Sequence, residues 1–258
     1  MRKVNAIRYV TPLREGGSLP AIIEADDDGL YVLKFRGAGQ GPKALIAELV
    51  SGEIARAVGL SVPEIVFVDL DAELARTEPD PEIQDLIRAS AGLNLALDYL
   101  PGAVMFNPVA DSIDEKLATS IVWFDAFITN VDRTARNTNM LIWHNKLYLI
   151  DHGASLYFHH NWDNYLEKSR NPFQVVKDHV LLPFSNSFLE EEKKMTVKIT
   201  KNLIENTVNL IPESWLAGDP AFSSVSQNKD AYVKYFIKRL ENRHFFREEA
   251  IRARSLYL

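Results

Sequence analysis

The chain has 258 residues, 47% of them hydrophobic and 25% charged, with a formal net charge of −6 and no cysteine. Length and composition describe a globular protein with room for one large domain or two lobes. The acidic balance argues against a direct nucleic-acid binder, and the missing thiols exclude disulfides, thiolate nucleophiles and cysteine-ligated zinc.

Residues 1–13 are too polar for a signal peptide, and no run of about 18 apolar residues exists to span a bilayer, so a soluble cytoplasmic protein without membrane contact is expected. Residues 4–36 read as strands. The segments 21–24 and 30–35 flank the acidic turn Asp26-Asp27-Asp28-Gly29, which predicts a hairpin. Two glycine-bearing loops border it, Gly16-Gly17-Ser18 before and Gly37-Ala38-Gly39 after. A helix is expected over 42–58, opened by Pro42 and stopped by Gly59, with Leu45, Leu49 and Val50 among its regularly spaced apolar residues. Residues 63–70 read as a strand, 71–91 as a charged loop with a short helix, and 93–100 as another strand. Pro101-Gly102 is a strong break, and there we draw the boundary between an N-terminal lobe (1–100) and a C-terminal lobe (101–258). Helices follow over 113–128, 189–210 and 229–242, with a shorter one at the end. Strands first and helices later predict an α+β protein, with a small antiparallel-sheet N-lobe and a mainly helical C-lobe.

The chemistry concentrates between the second lobe's first helix and residue 153. Asp132 is followed five residues later by Asn137 in a short basic loop. Two strand-like segments then meet at His144-Asn145, and the second ends on Asp151, before His152 and Gly153. Together Asp132, Asn137 and Asp151 offer a base and two hard oxygen ligands, the set that phosphoryl transfer with Mg²⁺ requires. Taken singly, each also suits a turn or a cap. Lys34 interrupts an apolar strand and shares a face with Val32, so it either edges into water or points inward to an anionic partner. Glu48 is the expected partner, carried on a stripe of small residues (Ala44, Ser51, Gly52 and Ala55), and Glu53 is the rival.

The segments Y-V-L-K-F around Lys34, A-E-L-V-S-G-E-I-A-R-A-V-G-L-S-V-P over residues 47–63, D-Y-L-P-G-A from Asp98, F-D-A-F-I-T-N-V-D-R-T-A-R-N from Phe124 and L-Y-L-I-D-H-G from Leu147 together resemble the HipA family of bacterial kinases. The resemblance covers roughly residues 10–160 and implies a bilobal protein-kinase-like fold with ATP and Mg²⁺ as cofactors. It implies that Lys34 holds the α- and β-phosphates, that Glu48 positions Lys34, that Asp132 is the catalytic base, and that Asn137 and Asp151 bind the metal. Asp98, Tyr99 and Leu100 would form the hinge that meets adenine. The implied acceptor is a protein serine or threonine, and an antitoxin or regulatory protein is an implied partner. A small-molecule or lipid kinase of the same fold, or a nucleotide-binding pseudokinase, are the alternative readings. The sequence departs from eukaryotic protein kinases in Asn130-Val131 before Asp132 and in His152 after Asp151. No loop matches G-x-G-x-x-G. Either Gly16-Gly17-Ser18 or Gly37-Ala38-Gly39 covers the phosphates, and position before the first hairpin favours the former.

Four weaker signals complete the reading. His159, His160 and Asp163 match no metal spacing and read as a solvated loop. Ser155, Ser169, Ser185 and Ser187 read as surface serines. Arg133 and Arg136 read as solvent-exposed. The basic run 238–254, interleaved with glutamates, reads as a helix face.

Overall fold

The computed structural model describes residues 1–13 and 19–257. Its first half is built on β1 (Lys3–Pro12), β2 (Ala21–Ala25) and β3 (Leu30–Lys34), followed by α1 (Pro42–Val58), β4 (Ile65–Leu70), α2 (Pro81–Ala89) and β5 (Gly92–Asp98). The β2–β3 hairpin turns at Asp28, whose φ of 62° is the left-handed conformation that aspartate tolerates. The strand order is β1-β2-β3-β5-β4, and β1 closes the ring by pairing in parallel with β4, Lys3 opposite Phe67 and Val4 opposite Val68. The expected small antiparallel sheet is therefore a closed barrel with one parallel seam. Alternate residues, among them Val4, Ile23, Leu33, Val68 and Ala96, fill its interior.

Helix α1 begins with Pro42 in its first turn and ends at Gly59, whose φ of 95° lets its N–H reach the carbonyls of Ala55 and Arg56. Its buried face includes Gly52, and the backbone there lies so close to β4 that an added Cβ would fall 2.4 Å from Ile65 Cδ1. The core on this helix is continuous with that of the second half.

The second half comprises β6 (Val104–Met105), α3 (Glu115–Ile128), β7 (Met140–Trp143), β8 (Lys146–Leu149), α4 (Tyr165–Lys168), α5 (Phe188–Lys198), α6 (Lys201–Asn209), α7 (Glu213–Leu216), α8 (Val225–Glu241) and α9 (Arg243–Arg254). Asp114 caps α3 by accepting the Leu117 N–H at 3.0 Å. From Ala118 to Ile128 every residue of that helix is buried, so α3 is the central post of the helical half. The single helix expected over 189–210 is two, because Thr200 leaves the helix and its hydroxyl caps α6 through the Leu203 N–H. The basic run near the C-terminus is likewise split at Asn242, and it is not all surface. Arg239 is fully buried and donates to the carbonyls of Ala126, Phe127, Ser169 and Asn171, stapling α8 to α3 and to the segment after α4. No helix among the described residues is long and apolar enough to cross a membrane.

Candidate active site

A cavity of about 480 Å³ lies where β3, α1 and the β8 exit meet, and Lys34, Glu48, Asp132, Asn137 and Asp151 all line it. Lys34 is the last residue of β3, and its side chain is only 12% exposed. The expected partner was Glu48. Instead, Lys34 Nζ donates to Asp151 Oδ1 at 2.8 Å. Asp151 sits in the left-handed region, φ 57°, directly after the β7–β8 hairpin, and that turn delivers its carboxylate to the lysine. Helical periodicity gives the face that Glu48 occupies, but not the distance it reaches.

Glu48 is buried, and neither of its oxygens has a hydrogen-bond partner. The nearest cation-capable group is His152 Nδ1, 3.5 Å from Oε1, an ion-pair distance rather than a well-formed hydrogen bond. Burial alone would raise the Glu48 pKa, but His152 and Lys34 outweigh it and hold the carboxyl below its usual range. Lys34 is the mirror case. Burial pushes its pKa down, and Asp151 first and Glu48 second push it back above the ordinary lysine value. The ammonium thus stays charged in a buried setting. Contacts between α1 and the segment after Asp151 hold this geometry, including a 2.7 Å hydroxyl pair between Ser51 and Ser155.

Asp132 is presented by a loop that the end of α3 anchors from below. Thr129 ends the helix in the left-handed region, φ 57°. The Asn130 amide then donates to Asp125 Oδ1 at 3.0 Å, while its oxygen accepts the Asp132 N–H at 3.1 Å. Asp125 is wholly buried and also receives Arg133 Nε at 2.5 Å and faces His179 Nε2 at 2.9 Å. Burial opposes its charge, but Arg133 and His179 hold its pKa far below the usual carboxylate range. Arg133, expected in solvent, is 1% exposed and extends to the carbonyls of Asn139 and Ile150. It is a positioning residue that sequence reasoning missed. The available signal was Asp125, a carboxylate on the buried stripe of a bulky helix that needed a cation.

Asp132 Oδ2 accepts the amides of Asn137 at 2.8 Å and Asn139 at 3.2 Å. Asn137 therefore turns its nitrogen toward Asp132, and among the described residues its oxygen accepts no hydrogen bond. Asn137 Oδ1, Asp151 Oδ2 and Asp132 Oδ1 accept no hydrogen bond among the described residues, and such hard oxygen donors fit a divalent cation. Among the described residues no group of three or more His, Asp or Glu stands ready as a complete metal cage.

Other candidates fall elsewhere. Gly16, Gly17 and Ser18 lie outside the described residues. Ala38, Gly39 and Gln40 line the cavity. Asp98, Tyr99 and Leu100 do not line it. The N–H groups of Asp98 and Tyr99 donate to the carbonyls of Glu64 and Leu30, and burial raises the Asp98 carboxyl pKa. His159, read as part of a solvated loop, is fully buried with Nδ1 2.9 Å from the Tyr232 hydroxyl. Ser155, Ser169 and Ser185 are buried too, each with its hydroxyl on the carbonyl three residues back.

The crystal structure of a proinflammatory kinase from Helicobacter pylori, CtkA, is similar to this chain over 99% of both chains, at 14% identity and a TM-score of 0.52. The Golgi casein kinase is similar over 96% of this chain and 74% of its own, at 11% identity and a TM-score of 0.50. Its crystal structure with Mn and ADP bound matches at 10% identity and the same TM-score of 0.50, again over 96% of this chain and 74% of its own. At such identities the likeness shows a shared α+β kinase fold. No curated protein matches the sequence. The sequence itself matches the model of the HipA-like kinases over residues 6–249, so the chain belongs to the HipA-like kinase family, a family of kinase-type phosphotransferases.

Proposed function

We propose that this protein transfers the γ-phosphoryl group of ATP to a serine or threonine hydroxyl of a protein, in a Mg²⁺-dependent reaction. The observation that carries the reading is the convergence of Lys34, Asp132, Asn137 and Asp151 on one cavity bordered by the loop through Gly39. In this reading residues 1–100 and 101–258 act as two lobes with the nucleotide between them. Lys34 binds the phosphates as a charged ammonium, and Glu48 keeps it charged. The backbone of residues 37–41 approaches the phosphates, and Asn137 and Asp151 hold the metal ion. When bound, Mg²⁺ supplies charge neutralisation on the phosphate oxygens. Asp132, its Oδ2 held by two amides, accepts the hydroxyl proton from the acceptor at its other oxygen. Positioning and fixed charge supply most of the catalysis.

The test is transfer from γ-labelled ATP by the full chain, with thermal stability read on the same samples. Wild type is expected to be stabilised by ATP only with Mg²⁺ and to label protein serine or threonine. Asp132→Asn should keep the stabilisation and lose about 10²-fold or more in transfer. Asp151→Asn should lose both. A fully active Asp132→Asn variant, or a wild type that binds ATP and labels no protein, would overturn the proposal.

A further inference from the structure

A second cavity borders the Asp132 loop. Asp132 lines the site described above, while its neighbour Val131 lines this one. We propose that the second cavity is a docking groove for an acidic peptide segment flanking the acceptor hydroxyl, an inference that rests on the kinase reading and names its substrate class.

The groove encloses about 880 Å³, close to twice the volume beside Lys34. Its floor is apolar, with Phe158, Phe173 and Tyr235 all buried. Its rim is cationic, carrying Lys168, Lys177 and Arg252. Among the described residues no aspartate or glutamate lines it, in a chain whose 35 carboxylates outnumber its 29 lysines and arginines. Such local exclusion of one sign of charge selects an occupant of the same sign as the excluded groups. Arg252 is already held by both oxygens of Glu249, at 2.6 and 2.8 Å, so it offers little further charge. Among the described residues Lys168 donates to the Asn161 carbonyl alone, and Lys177 makes no ion pair. These two lysines are the available recognition charges. The volume suits a run of side chains better than one small anion, and Tyr157 and Val175, 60% and 43% exposed on the rim, add apolar surface for a chain to lie on.

The groove is also preformed. Its wall is the irregular segment after α4, and the buried Arg239 guanidinium fixes that wall through the Ser169 and Asn171 carbonyls. A peptide would therefore meet an ordered surface and spend little free energy on ordering it.

The test uses the full chain and two fluorescein-labelled serine peptides of one sequence length, one flanked by Asp and Glu, the other by Lys. Binding is read by anisotropy, and transfer from ATP is followed in parallel. The acidic peptide should bind roughly tenfold or more tightly than the basic one, and the preference should weaken as ionic strength rises. The Lys168→Glu/Lys177→Glu variant should lose that preference while its stabilisation by ATP and Mg²⁺ stays unchanged. Equal binding of both peptides by wild type, or a preference intact in the double variant, would overturn the groove assignment. Selective binding of the acidic peptide with no phosphoryl transfer to it would leave the groove standing and refute the kinase reading instead.

Discussion

Arg133→Met isolates the device that holds the Asp132 loop. In the native protein the Arg133 guanidinium reaches Asp125 at 2.5 Å and spans to the Asn139 and Ile150 carbonyls, with both ionic side chains at 0% exposure. Methionine fills much of the same volume, so the loss of packing is small. What remains is a buried carboxylate without its cation, supported among the described residues by Asn130 and His179 alone. Removing one partner of such a pair costs about 3–5 kcal/mol. Against a total stability of about 5–15 kcal/mol, that is a large share. Urea unfolding followed by tryptophan fluorescence measures it. Asp125→Asn in the Arg133→Met background removes the stranded charge, so the two changes together should cost less than their sum, by about 2–3 kcal/mol. A single variant that loses under about 1 kcal/mol, or a strictly additive double variant, refutes the account.

Two further outcomes follow from packing and burial. Gly52→Ala gains about 1 kcal/mol of helix propensity but sets a methyl 2.4 Å from Ile65 Cδ1 in a filled core, where overpacking costs about 1–3 kcal/mol. The net should be a loss of roughly 1 kcal/mol in urea unfolding, and a stabilised variant would show the seam between α1 and β4 to be slack. His159 is buried against Tyr232, with burial first and the nearby His160 and Lys43 next holding its pKa well below 6.5. The unfolded chain takes up that proton more readily, so this contribution is complete above pH 6.5 and declines as pH falls below it, by up to about 1.4 kcal/mol per pH unit. A His159→Gln variant should show a shallower stability loss between pH 6.5 and 5 than wild type. Parallel profiles would contradict the neutral, buried state.

Local chemistry in this chain is written plainly. Pro42 and Gly59 bracket α1, the acidic turn makes its hairpin, and the order of Lys34, Asp132, Asn137 and Asp151 anticipates residues found around one cavity. What the sequence hides is partner choice. Nothing in Lys34 or Glu48 tells that Asp151 takes the lysine, because a left-handed turn at residue 151 sets that distance. Arg133 and Arg239 read as surface charge because arginine is seldom buried, and only the carbonyls and carboxylate gathered around them explain why they are. The same limit hid the parallel seam between β1 and β4, since a strand's own pattern does not name its neighbour.

That seam has a consequence for how the protein is made. Lys3 cannot find Phe67 until α1 and β4 have left the ribosome, and β3 lacks its second neighbour until β5 follows, where Lys34 pairs with Leu95. The barrel therefore cannot close progressively from its N-terminus. Its first strand, with Ile7 and Val10 turned outward, can pair with β2 early, but its other edge waits for β4 through the synthesis of β3 and α1. The open edge of nascent β1 is thus a surface a chaperone would have time to find.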